Sequence, residues 1–245
     1  MTMLDPKLVL GAYAVGVFPM ADHRTADSIY WVEPKRRAIM PLDGFHLSQS
    51  LKKTISSNRF RVTADAAFEQ VITLCAESAA DRPDTWINTA IERVFIDLHR
   101  MGYAHSVECW AEDRLVGGLY GLALGRAFFG ESMVSRARDA SKVALGWLVA
   151  RLRVGGFTLL DCQFQTDHLA SLGAIEISRR DYLAGLSVAV DGAVAGALGG
   201  TGAAPVAGDP AGDFFALDRL LSPPAPATAS PPPGKLIAQL LVHTS

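Results

Sequence analysis

The chain predicts an α+β fold, sandwich-like in its layering of helices on a sheet, with a smaller domain at the amino terminus. Three observations carry the prediction. Residues 104–133 leave helical spacing for alternation and read as a three-strand antiparallel meander over 104–111, 115–124 and 127–133, turning at Glu112-Asp113-Arg114 and Gly125-Arg126. Residues 139–153 return to helical spacing, with Val143, Leu145, Leu148, Val149 and Leu152. Residues 157–163, FTLLDCQ, follow the Gly155-Gly156 breaker as a short apolar run with a polar end, the pattern of a buried strand.

The earlier elements follow from the same periods. Residues 3–17 are spaced for a helix burying Leu8, Tyr13 and Val15, and Phe18-Pro19 ends it, because proline restricts the residue before it. A short strand is expected at 28–32. Lys35, Arg36 and Arg37 read as a charged surface turn, or as a contact for phosphate. HLSQSLKKTI at 46–55 puts Leu47, Leu51 and Ile55 on one helical face, which sends Lys52 and Lys53 outward. With Arg59 and Arg61 they form a basic stretch suited to phosphates. Residues 63–76 read as a second helix burying Phe68, Val71, Ile72 and Cys75, with Arg82-Pro83 closing the next loop, and a third runs from about 89 to Met101 before Gly102 breaks it.

Glycines 117, 118 and 121 inside the middle strand of the meander point to a bulge or to close backbone approach by a ligand. After Leu186 the composition turns to Ala, Gly and Val, and 200–234 read as a Pro/Ala-rich flexible linker. DFFALDRLL at 213–221 and the terminal LIAQLLVHT are the segments able to dock. These shifts divide the chain into an amino-terminal domain at 1–62, a main domain at 63–199 and a tail at 200–245.

With 245 residues and 49% hydrophobic content, the chain can bury a full core. It contains no run of 18 uncharged apolar residues, and Asp5 and Lys7 come too early for a secretory leader, so a cytoplasmic protein without membrane contact is expected. Cys75, Cys109 and Cys162 form no CxxC pair and the six histidines no HExxH, so neither a disulfide framework nor a metal site is expected. A net charge of −2 argues against indiscriminate nucleic-acid binding while leaving room for a local basic patch.

The chemistry is placed at the end of the 157–163 strand. Residues two apart on a strand share a face, so Asp161 and Gln163 point together and Cys162 points away. A carboxylate beside a carboxamide can hold and polarise an amine without a metal or an activated serine; the alternative is that the pair only caps the strand. Glu131, on the neighbouring strand, projects toward the same edge or is a surface carboxylate.

Three antiparallel strands, a helix and a further strand is the core order of the GCN5-related acetyltransferase fold. Those enzymes cradle a pyrophosphate on a glycine-containing turn at the helix start. Here the turn, SRARDASK, has no glycine and places Asp139 where phosphate would be repelled, so coenzyme A is not the expected acyl donor. An acetyl-CoA-dependent N-acetyltransferase is the enzyme alternative. A non-catalytic module binding tRNA or protein amino termini is the alternative of another class.

Read together, FFGESM, DCQ, DH, ASLGA and RRDYL, with DTWIN, GYAHSVECW, EDRLVGGLYG and ASK upstream, form one collinear series over roughly residues 8–186. The series resembles the leucyl/phenylalanyl-tRNA-protein transferase family. The resemblance implies transfer of leucine or phenylalanine, less often methionine, from Leu-tRNA or Phe-tRNA to proteins beginning with arginine or lysine, which marks them for degradation. The ester is already activated, so no cofactor is implied, and a monomer is expected.

It further implies roles for particular residues. Gln163 would hold the attacking amine, Asp161 would polarise that contact or accept the proton, and Glu131 would meet a cationic group. Leu119, Phe128, Leu148 and Leu160 would line the donor amino-acid pocket, Trp86 and Met20 would meet the tRNA 3′ end, and Lys52, Lys53 and Arg59 its phosphates. The sequence departs from the family pattern at Met20, where the family usually has tryptophan after FP, and at Thr166, where it has asparagine. The amino-terminal domain is also expected to be shorter than in longer relatives.

Overall fold

The computed structural model describes residues 4–77, 85–191, 211–222 and 233–242. The loop at Arg82-Pro83, Asp84, the linker at 200–210 and 223–232, and His243 and Thr244 lie outside the described residues. Helix α1, Pro6–Ala14, starts where Asp5 accepts a hydrogen bond from the Lys7 amide (2.8 Å) and Pro6 takes the first turn. It buries Val9, Leu10 and Tyr13. Leu8 and Val15, expected inside, are 58% and 60% exposed. They are seven residues apart and share a stripe, but the stripe turned inward is the one through Val9 and Tyr13.

Strands β1, Phe18–Met20, and β2, Tyr30–Val32, form a separate two-stranded antiparallel ribbon. The main sheet has seven strands. Strand β3, Arg36–Ile39, lies inside it, and β4, Arg61–Ala64, forms one edge. Of the 35–37 cluster, Lys35 lies in an exposed bend, while Arg36 and Arg37 begin β3, and Arg37 is not at the surface but buried against a carboxylate. The expected boundary at residue 62 falls within β4, and β3 and β4 are both strands of the main sheet.

Helix α2, Gln49–Ser56, is capped by Ser48 and buries Leu51 and Ile55. The helix expected at 63–76 divides at Asp65, which takes a left-handed conformation (φ 55°) between β4 and helix α3, Phe68–Ala76. Helix α4, Thr89–Arg100, is capped by Asn88. The expected meander follows as β5, Ala104–Ala111, β6, Arg114–Leu124, and β7, Ala127–Ser135. Helix α5, Ala140–Val154, leads to β8, Leu159–Gln163, which runs parallel to β7. Then come α6, Asp167–Ser171, β9, Ile175–Ser178, and α7, Arg179–Val190.

The strand order is β4-β5-β6-β7-β8-β3-β9, and apolar clusters cover both faces. On one, α2 and α5 pack with two segments of the tail, α8, Ala216–Leu221, and α9, Pro233–Leu241; Phe214, Leu217, Ile237 and Leu241 lie in that core. On the other, α1, α3, α4 and α7 cover the sheet. Helix-sheet-helix layering buries α5 along most of its length.

The meander glycines are explained by close approach within the protein. A Cβ at Gly117 would stand 2.5 Å from that of Ala140, and one at Gly121 2.3 Å from the Phe129 carbonyl. A bulge is present too: Tyr120 pairs with Ser132 and Gly121 with Gly130, leaving Glu131 as the extra residue of β7. Among the described residues no helix is long and apolar enough to cross a membrane.

Candidate active site

The parallel ladder between β7 and β8 ends at Phe129 and Asp161, and the two strands carry Glu131 and Gln163 beyond it. Strand alternation sends Leu160 and Cys162 toward the α5 core, and Leu159 and Asp161 toward the face covered by α1 and α7. The bulge aims Glu131 at that same face, where Tyr13 of α1 donates to Glu131 Oε1 at 2.7 Å.

Asp161 is fully buried and accepts five hydrogen bonds: three from Arg37 (Nε–H at 2.9 and 3.0 Å, Nη2–H at 2.6 Å), one from the Tyr182 hydroxyl (2.7 Å) and one from the Gln163 amide (2.7 Å). Arg37, 1% exposed, donates its remaining terminal nitrogen to the Gly16 carbonyl at 3.0 Å and lies between the rings of Phe18 (4.5 Å) and Tyr182 (4.7 Å). A bidentate guanidinium on a dry carboxylate is a strong, directional pair. Its partners occupy both oxygens of Asp161, which leaves the expected proton-accepting role without a free acceptor.

Gln163 takes a left-handed conformation (φ 62°), held by its amide bond to Asp161. A non-glycine residue there stores strain of about 1 kcal/mol or more, which persists where surrounding structure over-determines it. Gln163 Nε2 and Glu131 Oε2 are buried and have no hydrogen-bond partner. The Gln163 side chain lies near enough to favour ionised Glu131 without reaching hydrogen-bond geometry. Burial dominates, pushing Glu131 up to about 8, with Asp161 adding to the rise while Tyr13, Gln163 and Arg37 oppose it. At neutral pH Glu131 therefore holds its proton. Burial also pushes the Tyr13 and Tyr182 hydroxyls up, so both stay neutral donors.

The other expected residues fall into three places. Leu119, Phe128, Leu148 and Leu160 are buried together in one apolar cluster, but on the α5 face, with the sheet between them and the Tyr13 side. Trp86 and Met20 are partly buried against the opposite core and joined through the backbone, the Ala21 amide donating to the Trp86 carbonyl at 3.1 Å. Lys52, Lys53 and Arg59 are exposed, the two lysines on α2 and Arg59 beyond its end.

Tyr13, Arg37 and Tyr182 complete the cluster, a role that the sequence alone does not reveal. Tyr13 was legible as a buried residue, but nothing local reveals a hydroxyl partner 118 positions away.

Two family models match this sequence: one described as Leucyl/phenylalanyl-tRNA protein transferase over residues 39–187, and one as the N-terminal domain of the same transferase over residues 2–35. The chain belongs to the leucyl/phenylalanyl-tRNA protein transferase family. A relative of that name from Rhizorhabdus wittichii is 63% identical over 249 residues, covering 100% of both chains. Others from Phenylobacterium zucineum (51% identical, 100% of both chains) and Novosphingobium aromaticivorans (50% identical, 99% of this chain and 97% of the relative) carry the same name. A solved structure, "The structure of L-PGS from Bacillus licheniformis", superposes with a TM-score of 0.36 and 13% identity over 63% of this chain and 51% of its own, too distant to bear on this fold. The Glu131, Asp161 and Gln163 cluster lies within the longer match to the transferase family.

Proposed function

We propose that this chain transfers leucine or phenylalanine, less often methionine, from aminoacyl-tRNA to the amino terminus of an acceptor protein beginning with arginine or lysine, marking it for degradation. The observation that carries the reading is the pair of buried, unpartnered groups, Gln163 Nε2 and Glu131 Oε2, on strands whose ladder has ended. A buried polar atom left without a partner is costly unless something else binds it. An amine meeting an ester supplies the missing partners.

In this mechanism the amine nitrogen attacks the ester carbonyl, the C–N bond forms as the C–O bond to the ribose breaks, the amine loses a proton and the ribose oxygen gains one. Gln163 Oε1 accepts a hydrogen bond from the amine and its Nε2 steadies the developing oxyanion. Glu131, protonated at the outset, gives its proton to the departing ribose oxygen and takes the amine's proton in its place. Asp161 and Arg37 act at one remove as positioning residues, fixing Gln163 through its amide. Most of the acceleration then comes from orientation, as befits an activated ester.

The donor side chain enters the apolar cluster of Leu119, Phe128, Leu148 and Leu160 where β7 and β8 end their pairing. The 3′ end of the tRNA lies near Trp86 and Met20, and its phosphates meet Lys52, Lys53 and Arg59. The core is of GCN5-related acetyltransferase type: an antiparallel β5-β6-β7 meander, α5, and a parallel β8 support this reading. Coenzyme A is disfavoured, since Asp139 takes a left-handed conformation at the α5 start and presents a carboxylate there.

The test is transfer of radiolabelled leucine from Leu-tRNA to a protein with amino-terminal arginine. Because glycine accepts φ 62° without strain, Gln163→Gly is expected to fold at least as stably as the natural protein while transfer falls by about 100-fold or more. Undiminished transfer would remove Gln163 from the mechanism.

A further inference from the structure

Residues 211–222 lie beyond both family matches, yet Phe214 is 4% exposed inside the α5 core. Its ring stacks on Phe128 (centroids 5.8 Å apart, planes at 10°) and on His105 (4.1 Å, 15°). His105 is itself fixed by Asp65, 2.7 Å from its Nδ1. Phe128 therefore has a braced aromatic wall behind it, with Phe157 edge-on at 6.4 Å.

The segment is tied to the elements that carry the donor-pocket residues. The Gly212 amide donates to the Gly125 carbonyl in the β6–β7 turn (2.8 Å), and the Asp213 amide to the Gly155 carbonyl behind α5 (2.9 Å). A Cβ at Gly212 would stand 2.6 Å from the Phe157 ring, so the chain passes there only as glycine. Buried Arg151 of α5 donates to the Phe214 carbonyl (2.7 Å), lies 4.8 Å from the centre of its ring, and reaches Asp218 of α8 at 2.8 Å.

We propose that Phe214, braced by His105 and Arg151, sets the depth of the donor amino-acid pocket and with it the choice between leucine and phenylalanine. The proposal rests on the transferase reading and its donor pocket. An all-apolar pocket discriminates by volume alone, so how far Phe128 can retreat becomes the measure of selectivity. Shortening Phe214 opens space behind Phe128, whose ring backs away; a phenylalanyl donor gains room and a leucyl donor loses contact.

The experiment compares kcat/KM for Leu-tRNA and Phe-tRNA, with an acceptor bearing amino-terminal arginine, in the full chain and in Phe214→Leu. The Phe-over-Leu ratio is expected to rise about tenfold. Val94→Ala, in the core on the other face of the sheet, serves as a destabilised control and keeps the natural ratio. An equal fall with both donors, or the same ratio shift in Val94→Ala, overturns the proposal in favour of a merely structural Phe214. Should circular dichroism show Phe214→Leu unfolded, Asp218→Asn, which loosens the Arg151 tether, is read instead: a smaller shift of the same sign supports the proposal and an unchanged ratio overturns it. A natural chain that transfers from neither tRNA overturns the transferase reading itself, and the pocket proposal with it.

Discussion

Arg37 and Asp161 are 1% and 0% exposed in side chain and form an ion pair at 2.6 Å. Removing one partner strands the other in a dry environment. Arg37→Met and Asp161→Asn are each expected to lower the unfolding free energy by about 3–5 kcal/mol. The double variant should lose less than the sum, because it leaves no orphaned charge; urea denaturation of the three proteins checks this.

Glu131 works in the opposite sense to a paired carboxylate. Its folded pKa, about 8, lies above the usual carboxylate value of 4.5, so between those two values the folded chain binds a proton that the unfolded chain releases. The resulting stability is fully present below pH 4.5 and is lost as pH rises through 8. Relative to E131Q, which has no group to titrate there, the natural protein should lose stability steadily from about pH 5 to about pH 8 in denaturant titrations, and no further above that. A constant difference between the two would mean that Glu131 is not a buried acid.

The bulge in β7 depends on the glycine facing it. Gly121 pairs with Gly130, and a side chain there would collide with the Phe129 carbonyl and the Phe128 ring, the latter at 2.4 Å. Gly121→Ala is expected to cost about 2–3 kcal/mol, read as a lowered Tm. The meander, α5 and β8 were legible because each holds one hydrophobic period long enough to be distinctive. Strands β3 and β9 were not, since RRAI and IEIS carry charges that pair across the sheet, Arg36 with Glu176, and only tertiary structure supplies that partner. Glu131, Asp161 and Gln163 were legible from residue chemistry on strands. Arg37 was hidden inside a charge run that resembles solvated surface until its carboxylate, 124 positions later, is known.

Across the whole molecule a net charge of −2 coexists with the exposed Lys52, Lys53 and Arg59. If these meet tRNA phosphates, Lys52→Ala combined with Lys53→Ala should weaken binding of Leu-tRNA and Phe-tRNA alike. It should also make the slope of log affinity against log salt shallower by between one and two, as measured by filter binding over a salt series. A slope equal to that of the natural chain would move the phosphate contacts elsewhere.

The place of β3 between β8 and β9 has a consequence for biosynthesis. Residues 36–39 leave the ribosome well before either neighbour exists, since the strands flanking them span 159–163 and 175–178. At typical elongation rates that wait is on the order of ten seconds. Throughout it, the guanidinium of Arg37 stays hydrated, and its burial becomes favourable only when Asp161 arrives. The nascent chain thus carries a built-in deterrent to premature collapse of its own first third.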